Sequence, residues 1–195
     1  MSRLPIKGAF QVTATYGQRG SYWKNGHQGI DLVAADRRIF STCYGTVRLV
    51  AFDEGGWGQY VSIGDEVGRR HIFCHLEKGS VTVKAGEKVT PSTVLGRMGA
   101  TGNVTGVHLH YQLQQGETVI DPTLLLGIPN RVGSYHSEDF TMDFKDASTI
   151  PDWAKEAVRT AKEKGWMLGD DMGNFRPFDP VTRAELAVIL SRLGK

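Results

Sequence analysis

The apolar positions change period part-way along the chain. Up to about Leu126 they fall in short runs of Val, Ile, Thr, Tyr and Phe separated by glycine-rich turns, at residues 45–52, 59–63, 70–76 and 107–113. Such runs predict strands, and no helical period of useful length interrupts them. The fold class expected for this half is mainly β, an antiparallel, curved sheet or barrel-like domain over residues 1–128. The next stretch, 129–141, carries Pro129, Asn130, Gly133, Ser134 and Ser137 without periodicity and predicts a linker. After it the period becomes helical. Trp153, Ala157, Val158 and Ala161 would share one helix face, with Pro151 at the first helical position and Gly165 at the stop. A second helix is expected from Arg183 to about Leu193, with the apolar stripe Leu186, Ile189, Leu190 and Leu193. It would be opened by a capping box in which Thr182 and Glu185 exchange hydrogen bonds. Residues 142–195 thus predict a small α-helical helix–loop–helix module with little core of its own.

Composition narrows the functional classes. The 195 residues carry a net charge of +2, too little for the basic footprint of a nucleic-acid protein. No apolar run approaches the roughly 18 residues that would cross a membrane. The start, Met1-Ser2-Arg3-Leu4-Pro5-Ile6-Lys7-Gly8, lacks the apolar core of a secretory signal. The expectation is a chain made in a host cytoplasm without a signal peptide. Cys43 and Cys74 form no CxxC pair and predict two buried free thiols.

Five of the six histidines fall in three short clusters of the β half: His27 with Asp31, His71 with His75, and His108 with His110. In a strand, residues i and i+2 project from one face about 6.5 Å apart. His108 and His110 would therefore point together, and His71, Phe73 and His75 would share a face. Gly26 and Gly29 argue that His27 and Asp31 lie on a turn feeding a strand. Imidazole and carboxylate are good zinc ligands, and a catalytic zinc takes three protein ligands. Two histidines and one aspartate would leave the ion a net positive charge, with further histidines free for proton transfer.

The ordered set Gly26-His27-Gln28-Gly29-Ile30-Asp31-Leu32, then Phe73-Cys74-His75-Leu76, then Gly106-Val107-His108-Leu109-His110 resembles the lysostaphin-type zinc endopeptidases of bacterial cell walls, whose fold contains a duplicated hybrid motif. The stretch 83–99 and Ile120-Asp121-Pro122 also look like that family, and the resemblance covers roughly residues 10–126. It implies one Zn2+ per chain on His27, Asp31 and His110, with His75 and His108 as the catalytic histidines and peptidoglycan as substrate. His71 is outside the family's set and reads as a surface histidine or a rim contact. The tail resembles an S-layer homology module through Phe144-Lys145-Asp146, Trp153-Ala154, Gly165, Gly173-Asn174-Phe175-Arg176-Pro177 and Thr182-Arg183-Ala184-Glu185-Leu186. That implies binding of a secondary cell-wall polymer, with Arg183, Trp153, Thr182 and Glu185 as candidate contacts. Such modules usually pack in threes and only one is present, which implies either self-association through the tails, as a trimer, or weak binding by a single copy.

A wall-cutting domain with a wall-binding tail and no signal peptide resembles a bacteriophage endolysin acting on Gram-positive walls. An anchor for pyruvylated polymer suggests a stem-peptide or direct cross-link as substrate. Two other classes compete: a non-catalytic wall-binding scaffold, which would not need all five metal and catalytic positions, and a lipoyl-like carrier, which would need a lysine at a hairpin tip that is not seen.

Overall fold

The computed structural model describes residues 4–137, 144–164 and 166–193. The chain forms two compact units, Met1–Phe140 and Thr141–Lys195.

The first unit is built in chain order from β1 (Ala9–Ala14), β2 (Ile30–Ala34), β3 (Arg38–Phe40), β4 (Gly45–Asp53), β5 (Gly58–Asp65), β6 (Arg69–Leu76), β7 (Lys88–Val89), β8 (Val94–Arg97), β9 (Leu109–Gln115), β10 (Thr118–Ile120), a four-residue helix α1 (Thr123–Leu126) and β11 (Gly133–His136). Nine strands make one antiparallel sheet in the order β11-β1-β2-β9-β6-β5-β4-β7, with β10 paired to β9; β3 and β8 form a separate ribbon. The mainly β fold expected from the apolar runs is the one observed.

The central strands β2, β9 and β6 set the register that matters. Ile30 pairs with Tyr111 and Tyr111 with Phe73, while Asp31 pairs with His110 and His110 with Cys74. Directly paired residues project from the same face, and successive residues alternate. One face therefore turns Ile30, Leu32, Leu109, Tyr111 and Phe73 into the main core, where all five are fully buried. The other face carries Asp31, His110, Gln112 and Cys74. Cys43 and Cys74 are both buried free thiols, as expected.

Three expectations fail here. Residues 133–136, expected in a linker, form β11, an edge strand of the main sheet with Ala9 paired to His136 and Val12 to Gly133. The preceding turn is also fixed, since Asn130 accepts from the Tyr16 N–H and donates to its carbonyl. The lack of periodicity in this stretch reflects a short edge strand, too brief to show alternation. His71 is neither at the rim nor on the surface. Strand alternation puts it on the core side, paired with Leu113, and its ring is completely buried. Burial is tolerated because Nε2 meets Asp65 Oδ2 at 3.2 Å and Nδ1 lies 2.8 Å from both the Tyr111 hydroxyl and Thr42 Oγ1. Finally, His75 does not share a face with His71 and Phe73. Its φ of 62° is left-handed and turns the side chain out of the strand's alternation.

The second unit holds a 3-10 turn (Ala147–Thr149), α2 (Asp152–Glu163) and α3 (Arg183–Leu193). Pro151 is the residue before α2 rather than its first; Gly165, expected to stop that helix, lies outside the described residues. The core is small: Phe144, Ile150 and Val158, flanked by Ala147, Ala154 and Phe175. Two of the four residues expected on the buried face of α2, Val158 and Ala161, are buried, and two are not. Ala154, Val158 and Ala161 turn inward, while Trp153 is 86% exposed and Ala157 is exposed beside it. At about 100° per residue, exchanging Trp153 and Ala157 for Ala154 turns the centre of the face by well under a quarter turn. The capping box is present, with Thr182 N–H donating to Glu185 Oε2 at 2.8 Å and Glu185 N–H to Thr182 Oγ1 at 3.2 Å. No residue of α3 is buried: Leu186, Leu190 and Leu193 of the predicted stripe are exposed, and Ile189 is half-buried. Residues 170–174 form a turn in which Asp170 Oδ1 accepts from the Met172 and Asn174 N–H groups.

Candidate active site

Asp31 and His110 face each other across β2 and β9, and the loop before β2 carries His27 back to them. His27 Nε2, His110 Nδ1 and Asp31 Oδ1 stand 2.9–3.2 Å from one another. All three residues are buried, and they form the group of His and Asp side chains among the described residues that could hold a metal ion. The donor chemistry fits one. His27 Nδ1–H donates to the Thr15 carbonyl at 2.9 Å, which leaves Nε2 with a lone pair aimed at the other two atoms. Two imidazole nitrogens and a carboxylate oxygen converge, and a tetrahedral zinc with bonds of about 2.0–2.1 Å separates its ligand atoms by about 3.3 Å. The loop is held in place by its own backbone, Gly17 N–H to the His27 carbonyl and His27 N–H to the Gln18 carbonyl, both at 2.8 Å. Trp23 packs on the His27 ring, with centroids 4.6 Å apart.

Gly29 explains itself at this point. A Cβ there would come within 2.5 Å of the Tyr111 carbonyl oxygen and 2.7–2.8 Å of the His110 ring. Only glycine lets β2 begin this close to β9.

His75 joins the site from the end of β6. Its N–H donates to the Trp57 carbonyl, and its Nδ1–H donates to the Thr101 carbonyl at 3.0 Å. Thr101 is itself fastened, accepting from the Gln59 N–H and donating to the Leu76 carbonyl. Gly58 and Gly102, both at positive φ, allow this approach, since a Cβ on Gly58 would strike the Thr101 backbone and one on Gly102 the Gly56 carbonyl. His108 lies just before β9, bridged to Gly99, with Nδ1 2.9 Å from the Gly106 carbonyl. The His75 and His108 rings are 4.8 Å apart, His75 and His110 5.8 Å, and His108 Nε2 is 3.8 Å from Asp31 Oδ2. All five predicted residues are therefore brought together.

The electrostatics separate their tasks. Burial alone would raise the Asp31 pKa, but the hydrogen bonds and charges of His110 and His27 outweigh it and hold the carboxyl below the usual range. Asp31 is thus an anion at any working pH. Burial, reinforced by His108 nearby, pushes His75 down to about 4. Burial also raises the Cys74 thiol well above its ordinary value, which keeps it protonated. A cleft of about 430 Å³ opens over these groups, lined by Tyr22, Trp23, Asn25, Trp57 and Gln112 beside His27, His75 and His110.

The sequence pattern described as Peptidase family M23 matches residues 25–122, 98 of the 195, and these span all five site residues. The chain belongs to peptidase family M23. The S-layer homology domain pattern matches residues 143–187. An L-Ala–D-Glu endopeptidase of Bacillus subtilis is 33% identical over 118 residues, which is 55% of this chain and 36% of that protein. The catalytic domain of the prophage-encoded M23 protein EnpA from Enterococcus faecalis, solved as a point mutant, superposes with a TM-score of 0.54 at 28% identity, covering 63% of this chain and 96% of that one. A zinc-containing peptidase from Vibrio cholerae gives 0.54 at 25% identity, covering 62% and 38%. The chain spans about a third of the length of the curated relatives it matches.

Some contributors to this M23 site escaped the sequence reading. Thr101 and Thr15 act through backbone carbonyls, which any residue supplies, so only their place in the fold reveals them. Gln112 follows His110 at i+2, and strand alternation alone could have put it on the site face. In the second unit, Thr182 and Glu185 serve the helix cap, and Arg176 Nη2 donates to Glu185 Oε1 at 3.0 Å. Arg176, in left-handed conformation, also reaches Asp170 and Asp179 while its N–H donates to Asp146. Arg183 and Trp153 are exposed on the first turns of α3 and α2.

Proposed function

We propose that this M23 chain is a zinc-dependent endopeptidase that hydrolyses peptide bonds of bacterial peptidoglycan. The observation that carries it is the convergence of three lone-pair donors at mutual distances of 2.9–3.2 Å beside a neutral, buried histidine. His27, Asp31 and His110 would hold the zinc, which would supply a Lewis acid for polarising a carbonyl and for making water more acidic. His75 keeps its Nδ1 proton on Thr101 and presents a bare Nε2 to the cleft, the state required of a general base. Its depressed pKa keeps it in that state at neutral pH. His108, more open to solvent, donates from Nε2 when protonated and stabilises negative charge on the substrate carbonyl oxygen. Trp23 and Trp57 give the cleft aromatic walls for an extended peptide.

The finer reading is a bacteriophage endolysin cutting a stem peptide or direct cross-link of Gram-positive walls. The prophage origin of EnpA and the bond named in the Bacillus subtilis relative support it. The second unit holds a secondary cell-wall polymer, with Arg183 and Trp153 as exposed contacts and Thr182 and Glu185 shaping the helix start beneath Arg183. A cation at a helix N-terminus opposes the helix dipole, so Arg183 is placed for an anionic ligand rather than for stability. The exposed Leu186, Leu190 and Leu193 support self-association of this module as a trimer, which light scattering tests directly; a monomer at working concentration removes it.

Purified Gram-positive walls should lose turbidity with the protein, stop losing it with a zinc chelator, and resist His108→Ala. Masses of the released peptides identify the bond. A folded, zinc-loaded chain that releases no peptide from any wall type would make it a binding scaffold.

A further inference from the structure

Gln112 is a polar residue that the fold does not need. It lies on β9 two residues after His110, on the same face, so its Cα stands about 6.5–7 Å from that of the metal ligand. Across the strand it pairs with Ile72, which is fully buried and apolar. The Gln112 side chain is 1% exposed, and neither its Oε1 nor its Nε2 finds a hydrogen-bond partner among the described residues. Buried side-chain amides are nearly always paired within the protein, and an unpaired one destabilises relative to an apolar side chain of the same shape. Leucine or methionine would fill this position at lower cost. Gln112 nonetheless lines the same cleft as His27, His75 and His110.

We propose that Gln112 is a substrate-binding residue whose carboxamide pairs with a peptide group of the bound substrate, about two residues from the bond that is cut. The chemistry matches: a carboxamide offers one acceptor and two donor hydrogens, the complement of a peptide carbonyl and N–H presented side by side. The group is neutral, so it leaves unchanged the charge that Asp31 and two imidazoles confer on the metal. It selects a neutral amide, because a carboxylate in that position would call for a cation. The spacing also fits, since an extended peptide advances about 3.3–3.4 Å per residue and covers the distance from His110 to Gln112 in two steps. Gln112 touches neither the reacting carbonyl nor the water; it fixes the register of the chain being cut. This inference rests on the peptidase reading above.

The test compares wild type with Gln112→Leu and Gln112→Met in the full, zinc-loaded chain. Three quantities are measured: the thermal midpoint, binding of two synthetic probes (a tetrapeptide containing an L-Ala–D-Glu bond, and tetraglycine), and kcat and KM for whichever probe is cut. The expected result is a midpoint raised by about 2–4 °C, with probe affinity reduced at least ten-fold and KM raised accordingly. The kcat should stay within about three-fold. A core residue with no substrate contact would change the midpoint alone, so unchanged affinity in a folded variant overturns the proposal. If the leucine variant fails to fold, the methionine variant carries the comparison. Wild type that binds a probe without cutting it, and loses that binding in the variant, supports the anchor and shows that the bond in that probe is not the one cut, while the wall assay above decides the hydrolase reading. Wild type that cuts a probe as fast as both variants do, with equal KM, keeps the hydrolase and removes the anchor. Wild type that binds neither probe removes the anchor.

Discussion

Replacing Gly29 with alanine adds a single methyl group in the narrowest part of the site. Its φ is not left-handed, so the effect comes from space alone. The new Cβ would lie 2.5 Å from the Tyr111 carbonyl oxygen and 2.7 Å from His110 Cε1, where ordinary contact begins at 3.4 Å. The shortfalls, 3.4 − 2.5 = 0.9 Å and 3.4 − 2.7 = 0.7 Å, must be found by moving β2 away from β9 or by pushing the His110 ring aside. Neither move is harmless, because β2 carries Asp31 and β9 carries His110, and metal ligands tolerate displacements of only about 0.2 Å. Overpacking of this kind costs roughly 1–3 kcal/mol of stability. The displaced ligand should weaken zinc binding by about 10–100-fold, as disturbance of ligand-supporting groups does. Chelator competition on the purified variant gives the affinity, and thermal unfolding gives the stability. Gly55→Ala, with nothing within 4 Å of the added carbon, is the control. A Gly29→Ala protein that holds zinc within three-fold of wild type and melts at the same temperature would refute the packing argument.

Other outcomes follow from the same geometry. His75→Ala should retain zinc within about three-fold yet lose about 10²–10⁴ in kcat, the usual weight of a positioned acid–base group; loss of zinc instead would make His75 a ligand. In the metal-free chain His75 titrates near 4, against a reference of 6.5. The unfolded chain then takes up a proton that the folded chain refuses, so stability should be flat above about pH 6.5 and fall by up to about 3 kcal/mol on going down to pH 4. A denaturant midpoint for the metal-free chain that is unchanged between pH 7 and 4.5 would contradict this, and His75→Gln should flatten the fall. Thr182→Ala removes the acceptor for the Glu185 N–H and should cost the second unit about 1 kcal/mol. It should appear as a lower thermal midpoint of the α-helical signal, with zinc affinity untouched.

The five site residues were legible through the ordered motifs that resemble the lysostaphin-type family, and in two clusters through local pattern: His108 and His110 at i, i+2 share a side, and glycines beside His27 announce a turn. The exceptions mark where local pattern loses control of direction. His71 and His75 look equivalent in sequence, four apart on one strand, yet one is in the core and the other in the cleft. A single left-handed residue separates them, and its cause is tertiary, the bonds to Trp57 and Thr101. Nor could spacing show that Asp65, Thr42 and Tyr111 would gather around His71. Strand β11 was hidden for a different reason, since four residues at a sheet edge carry too little alternation to separate them from a loop. In the second unit the capping box was readable because it is a purely local exchange of hydrogen bonds. The buried face of α2 was readable only in part: Val158 and Ala161 turn inward, but Trp153, apolar and at helical spacing from them, is left in solvent by the packing.

Asp31 and His110 are anchored in the middle of the sheet by strand pairing, whereas almost everything else that lines the cleft comes from loops between strands. Residues 15–28 bring Trp23 and Asn25, the β4–β5 turn brings Trp57, and residues 99–107 hold Thr101. Strand pairing tolerates no insertion near Asp31 or His110, since one extra residue would reverse which side each group faces. The loops accept changes of length far more readily. New cleavage preferences should therefore arise by exchanging these loops between related chains, with the metal centre carried over intact.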